Sequence, residues 1–249
     1  PKDGLAFGTP NPGVALRVLL KIGNTKYDPV KFAWLGGWGE AVNTLTLLEP
    51  APVHSVDEAT RKEVVLGSIG RNGNSYWIPA LMNEFLGTKF KIISGYQGGS
   101  PIRLAIDKHG VDGWCGQWEG WKLSKPEYLR ENKLVHLVQL AAKPSKDLPK
   151  VPRLSEMAKN DEQRAIFKIV ETGIADRAFV APPGLPKERL GPAAKAYHDT
   201  LRDPAFIADA SKVTEVLTCL SCDSRTEVDD LVAKATAAGG KTPRAPQDH

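Results

Sequence analysis

Val64-Val65-Leu66-Gly67-Ser68-Ile69-Gly70-Arg71-Asn72-Gly73-Asn74-Ser75-Tyr76-Trp77-Ile78 decides how this 249-residue chain is read. A short apolar run, Val64 to Leu66, enters a turn with three glycines, and an amphipathic stretch follows. In that stretch Ile78, Leu81, Met82, Phe85 and Leu86 recur at the spacing of one helix face, and Gly87 closes it. The spacing predicts strand, turn, helix, with Pro79 near the first turn, where a missing N–H is tolerated. The pattern then repeats. Phe90 to Ile93 is the next strand, Gly98-Gly99-Ser100-Pro101 the next turn, Ile102 to Lys108 a short helix, and Val111 to Cys115 a third strand. This is a βαβαβ unit, whose strands should be parallel with right-handed crossovers.

Outward from this unit, Leu45 to Leu48 reads as a strand, and Ser55 with Glu58 three residues on is a capping box opening a short helix. Leu134 to Leu140 is expected to be a strand. Ala142 to Leu154 holds Pro144, Pro149 and Pro152 and reads as a surface connection, and Glu162 to Glu171 as a helix. Ala178 to Val180 ends in the stiff turn Pro182-Pro183-Gly184, and Leu190, Ala193, Ala194, Tyr197 and Leu201 form one helical stripe. Ser224 with Glu227 makes a second capping box before a last helix lined by Val228, Leu231, Val232 and Ala235, and Gly239 to His249 reads as a disordered tail. At the other end Leu5-Ala6-Phe7 reads as a strand running into Gly8-Thr9-Pro10-Asn11, with a helix from about Val14 to Leu20. No neighbouring strand precedes it, so the sheet there is expected to be incomplete.

Composition narrows the function classes. With 41% hydrophobic and 25% charged residues, the chain is an ordinary globular one rather than disordered, collagen-like or coiled coil. The longest apolar runs, such as Val14 to Ile22, are broken by Arg17 and Lys21 and fall short of a bilayer span. A formal charge of +4 comes from scattered lysines and arginines, with no basic block suited to a nucleic-acid backbone, so no nucleic-acid partner is expected. The mild positive balance suits steering of anionic small molecules. The first residue is Pro1, not Met, and no charged and apolar leader pattern precedes it, which points to a removed leader or a longer upstream segment.

Open parallel α/β sheets hold ligands at the carboxyl ends of their strands, where helix N-termini present free N–H groups. Three turns here fit that place, Gly8 to Gly13, Gly67 to Ser75 and Gly95 to Ser100. They suit a carboxylate or phosphate, although glycines also serve simply to make tight turns. A Walker-type phosphate loop is absent. Cys219 and Cys222 have C-x-x-C spacing without a second pair or a following histidine, and the five histidines show no ligand spacing. Neither a metal nor a cofactor is expected, and no nucleophile and base are paired in the sequence. All six tryptophans lie in the first half of the chain. Of these, Trp114, Trp118 and Trp121 mix with Gly, Gln and Glu, which suits a half-wet cleft wall, with a core role as the alternative. At least one of the three should face the ligand, and Arg71, among turn glycines, should favour a carboxylate; together they favour a ring or apolar body over a citrate-like polyanion.

The order of motifs resembles the substrate-binding receptors of tripartite tricarboxylate transporters, the Bug family of periplasmic solute receptors. Lys26-Tyr27-Asp28-Pro29-Val30-Lys31-Phe32 is similar to the family's Y-D-P-x-x-D-F, and the Gly67 to Ser75 turn to its G-S-S-G-x-G-S-S-S. Gly95-Tyr96-Gln97-Gly98-Gly99-Ser100 resembles P-Y-K-G, Asp147-Leu148-Pro149-Lys150-Val151-Pro152 resembles L-P-D-V-P, and Phe179 to Pro186 resembles L-L-A-P-x-G-T-P. The resemblance covers about Pro1 to Ala235. It implies a type II periplasmic binding-protein-like α/β fold, two doubly wound lobes joined by crossing strands, with residues 1–42 and 172–249 as one lobe and 43–171 as the other.

By position, the resemblance assigns Thr9 and Asn11 to the first lobe's side of the ligand cleft. Ser68, Gly70, Asn74 and Ser75, with Tyr96, Gly98 and Gly99, fall on the second lobe's side. It implies a monomeric, periplasmic, non-enzymatic receptor for a small carboxylated compound, with membrane transporter subunits as partners when present. The family's opening strand, its P-F-x-P-G-G-type turn and a second strand and helix have no counterpart here, so the first lobe is expected to be incomplete. An enzyme on the same bilobal fold and the effector-sensing domain of a transcription regulator are the alternatives.

Overall fold

Every residue of β2 (Asn43–Leu48) is buried, so its sheet is covered on both faces. It lies inside a five-stranded sheet in the order β4 (Phe90–Ser94), β3 (Val64–Ser68), β5 (Gly113–Gln117), β2, β6 (Leu134–Leu140). The computed structural model describes residues 6–10, 13–19, 21, 25–173 and 176–206. The expectations for Leu5, Asn11, Cys219, Cys222, Ser224, Glu227, the last helix and the tail lie outside the described residues.

Leu45, Leu47, Val64, Leu66 and Cys115 pack with α3 (Asn74–Leu86) and α7 (Asp161–Gly173) on one face of the sheet, through Ile78, Met82, Leu86, Phe167 and Val170. Leu48 and Trp114 pack on the other face with α4 (Gly99–Asp107) and α5 (Trp118–Ser124) through Ile102, Ile106, Trp118 and Trp121. Shorter helices are α1 (Val14–Leu19), α2 (Val56–Ala59) and α6 (Pro126–Arg130). In α2 the Glu58 N–H donates to Ser55 Oγ at 3.1 Å, while the Glu58 carboxylate turns back to the N–H of His54, one residue before the cap.

The βαβαβ unit forms with β3 between β4 and β5 and parallel to both. The sheet as a whole is mixed, because β2 runs antiparallel to β5 and to β6. The parallel pairing expected within the βαβαβ unit is found, and the antiparallel strands β2 and β6 extend its sheet. Pro79 lies in the second turn of α3 and not its first, since the helix starts at Asn74. The missing N–H of Pro79 leaves the Ser75 carbonyl without its helical donor.

Two further strands, β1 (Ala33–Glu40) and β7 (Asp176–Ala181), pair antiparallel as a separate two-stranded sheet with register shifts on both sides of Gly36 and Gly37. Gly8 bridges Val180 at this sheet's edge, through hydrogen bonds of 2.9 and 2.8 Å, and Phe7 stacks on Phe179, which stacks on Tyr197 of α8 (Lys187–Thr200). Gly36 has φ of +156°, and a side chain there would meet the Tyr197 ring at 2.6 Å, so both its conformation and its neighbour require glycine.

The proline-rich connection after β6 is held by one buried side chain. Gln139, 1% exposed, donates from Nε2 to the Leu148 carbonyl at 3.0 Å and to the Val151 carbonyl, and accepts from the Ser145 N–H at 2.9 Å. Proline removes donors from this segment, and the glutamine satisfies the carbonyls left over. Gln139→Ala should cost about 2–3 kcal/mol, because three buried bonds vanish together. Urea unfolding reads the loss, and trypsin should cut faster after the exposed Lys146 and Lys150. An unchanged midpoint with unchanged cleavage would show that the loop holds itself.

Candidate ligand-binding site

Parallel pairing of β3 with β4, Ser68 opposite Ser94, brings the two turns that follow these strands side by side. The Ser68 carbonyl accepts from the N–H groups of Gly95 and Tyr96 at 3.1 and 3.3 Å, so the first turn carries the second. Ser68 and Ser75 are 0% and 4% exposed, and their hydroxyl oxygens are 3.1 Å apart. Ser75 Oγ also accepts from the Ile69 N–H at 3.2 Å. A pair of hydroxyls then sits beneath the start of α3, a helix of 13 residues whose first N–H groups have no intrahelical acceptor. Gly73 caps this helix without a side-chain bond, and Gly98, at φ of +143°, does the same for α4. The surroundings favour an oxyanion over a cation or a neutral apolar group.

The structure brings Ser68, Gly70, Asn74 and Ser75 into one turn, with Tyr96, Gly98 and Gly99 in the next. Asn74 Oδ1 accepts from the Trp77 indole N–H at 3.1 Å, so that oxygen is engaged within the helix. Arg71 is exposed, and its guanidinium carbon lies 5.9 Å from the Tyr76 ring. The buried, charge-assisted pair that the sequence suggested for Arg71 needs a dry setting, and this surface position does not provide one.

Thr9 is half-buried in the turn after the Gly8 bridge, and Asn11 lies outside the described residues. Pro10 and Gly13 of that turn line a cavity of about 330 Å³ with Trp34, Gly36, Gly37 and Gly173. Ser68, Ser75, Tyr96, Gly98 and Gly99 are not among the residues lining this cavity.

The tryptophans stand elsewhere than expected. Trp114, Trp118 and Trp121 are 7%, 5% and 0% exposed, all within the second core cluster. A Cβ on Gly99 would meet the Trp114 ring at 2.8 Å, and one on Gly116 would overlap it, so these glycines make room for the indole. Trp118 donates to Asp147 at 2.9 Å, and its ring stands perpendicular to that of His136 with centroids 5.0 Å apart. Glycines between tryptophans thus make space for packing and do not mark a wet wall, and the ring-selecting role expected for this segment loses its basis.

Sequence reasoning missed Asn43. It heads β2 opposite Gln117, at the sheet end where the two turns lie, and is 4% exposed with a buried Nδ2 that has no hydrogen-bond partner among the described residues. Its only sequence signal is a polar residue opening an apolar run. Cys115 is not a candidate nucleophile, because burial pushes its thiol up to about 12 and keeps it protonated.

No protein-family model matches this chain, and no curated protein matches it. Solved structures do. The periplasmic binding protein BugD is 17% identical with a TM-score of 0.62, the match covering 96% of this chain and 80% of BugD. MatC from Rhodopseudomonas palustris, solved with bound malate, is 19% identical with a TM-score of 0.63 over 96% of this chain and 79% of MatC. A TctC solute-binding protein from Polaromonas is 17% identical with a TM-score of 0.58 over 85% of this chain and 69% of that one. The chain has the α/β fold of these binding proteins, and they belong to the group that its motifs resemble.

Proposed function

We propose that this chain is an extracytoplasmic solute receptor that captures a small carboxylated compound between two lobes, for uptake or sensing. Residues 1–42 with 172–249 make one lobe and 43–171 the other, and β1 and β7, which form a sheet of their own, are the crossing strands. It works as a periplasmic monomer without catalysis or a cofactor, and membrane subunits of a tripartite transporter are its partners where they exist. The observation that carries this reading is the Ser68–Ser75 hydroxyl pair beneath the open start of α3, with the Gly95 to Ser100 turn beside it. Hydroxyls and backbone N–H groups, fixed before the ligand arrives, hold a carboxylate at low entropic cost. The malate in the structurally similar MatC is a ligand of the same class. Thr9 and Asn11 supply the facing side in this reading.

Calorimetric titration of the protein with malate, succinate, citrate and benzoate tests it. Saturable binding of at least one is expected, and Ser75→Ala should weaken that binding ten-fold or more, since it removes a hydroxyl of a buried pair. Saturable binding of none of the four would overturn the proposal.

A further inference from the structure

We infer that Asn43 is a ligand-contact residue, donating its side-chain amide to an oxygen of the bound molecule on the opposite side from the Ser68–Ser75 turn; this rests on the receptor reading above. A buried amide with no partner costs stability, and native structures leave few such groups without a reason. Asn43 cannot escape the cost by moving, because its backbone pairs with Gln117 on one side and Leu140 on the other. Strand alternation fixes where the side chain points. Leu45 and Leu47 face α3 with Ile78 and Met82, so Asn43, two residues before Leu45, projects from the same face.

Register gives its height. Gly67 lies opposite Trp114 in β5, which puts Ser68 level with Cys115, and Cys115 lies opposite Leu45. Asn43 is therefore two strands across from Ser68 and two residues further toward the open end of the sheet, a separation of about 12 Å. Measured between backbone positions, that separation is on the scale of a short organic acid hydrogen-bonded at both ends. The hydroxyl pair and α3 hold one end of such a molecule, and the Asn43 amide meets the other.

A residue kept for binding and one kept for the fold respond differently to substitution. Asn43→Leu keeps the branching of the side chain and removes the unpaired donor, which offsets part of the cost of its added bulk, so the free protein should stay folded with little loss of stability. Its affinity for whichever of malate, succinate, citrate or benzoate the unaltered protein binds should fall ten-fold or more. Asn43→Ala should give the same loss of affinity. In the unaltered protein, the Asn43 side-chain amide resonances should shift on saturation with that acid, which tests the contact even if both variants misfold. Affinity within two-fold of the unaltered protein in a folded variant, or resonances that do not move, would overturn the contact and leave the receptor reading standing. If the unaltered protein binds none of the four acids, the receptor reading fails and this inference with it.

Discussion

Gly113→Ala should destabilise the protein by about 3 kcal/mol or more, near the upper end of overpacking effects, and the soluble yield should fall with it. Gly113 opens β5, the one strand hydrogen-bonded to both β3 and β2, and lies opposite Leu66 on one side and Leu47 on the other. A Cβ there would overlap the Thr46 carbonyl oxygen and meet Leu47 Cδ2 at 2.7 Å and Leu47 Cα at 2.9 Å. Two of these three atoms are backbone of a fully buried strand, so relief requires moving β2 rather than rotating a side chain. Gly70→Ala is the matched control. It places a methyl where nothing lies within 4 Å, so its urea midpoint should stay within about 0.5 kcal/mol of the parent. Equal midpoints for the two variants would mean that β2 and β5 tolerate separation.

The contrast between these two glycines also explains what could be read from the sequence. Both occur in Gly-containing stretches of similar appearance, but only the pairing of β5 with β2 distinguishes them, and that pairing joins residues about 70 positions apart in sequence. Elements governed by local spacing were legible: α3 from its apolar period, α2 from Ser55 and Glu58, β6 over its whole length. Ser68 and Ser75 were legible as candidates as well, because the eight residues from one to the other make up a single turn, while their pairing was not.

What depended on distant partners was not legible. The reversed direction of β2 carries no local mark, and without it Asn43 looks like any strand-opening polar residue. Trp118 read as a cleft residue because its neighbours are Gln117, Glu119 and Gly120. Its N–H is satisfied by Asp147, 29 residues downstream, in a loop whose shape is set by Gln139. Burial of tryptophan follows from such contacts and not from the polarity of adjacent residues.

Stability should fall by about 3 kcal/mol as the pH drops from 6.5 to 4, with His136 as the cause. Burial lowers its imidazole from 6.5 to about 4. The neutral ring is held by a 2.8 Å hydrogen bond between Nδ1 and Thr46 Oγ1, itself 2.8 Å from Thr44 Oγ1, with the Trp118 ring perpendicular to it. The folded state therefore resists the proton that the unfolded chain accepts at an ordinary histidine pKa. The sign follows directly: stability is full above pH 6.5 and is lost progressively down to pH 4. Carboxylates held below their usual range add to the loss only in more acidic solution. Glu49 is held there by the Ala51 N–H and His54, Asp147 by Lys122 and Trp118, and Glu156 by Arg153. Glu171 works the other way, since burial raises its carboxyl and acid relieves it. Between pH 6.5 and 4.5 the decline therefore comes from the histidine, with Glu171 opposing it. His136→Gln keeps a hydrogen-bonding group beside Thr46 but has no proton to take up, so its urea midpoint should be lower than the parent's at pH 7.5 and nearly level across that window. An equally steep decline in His136→Gln would place the acid sensitivity on the carboxylates instead.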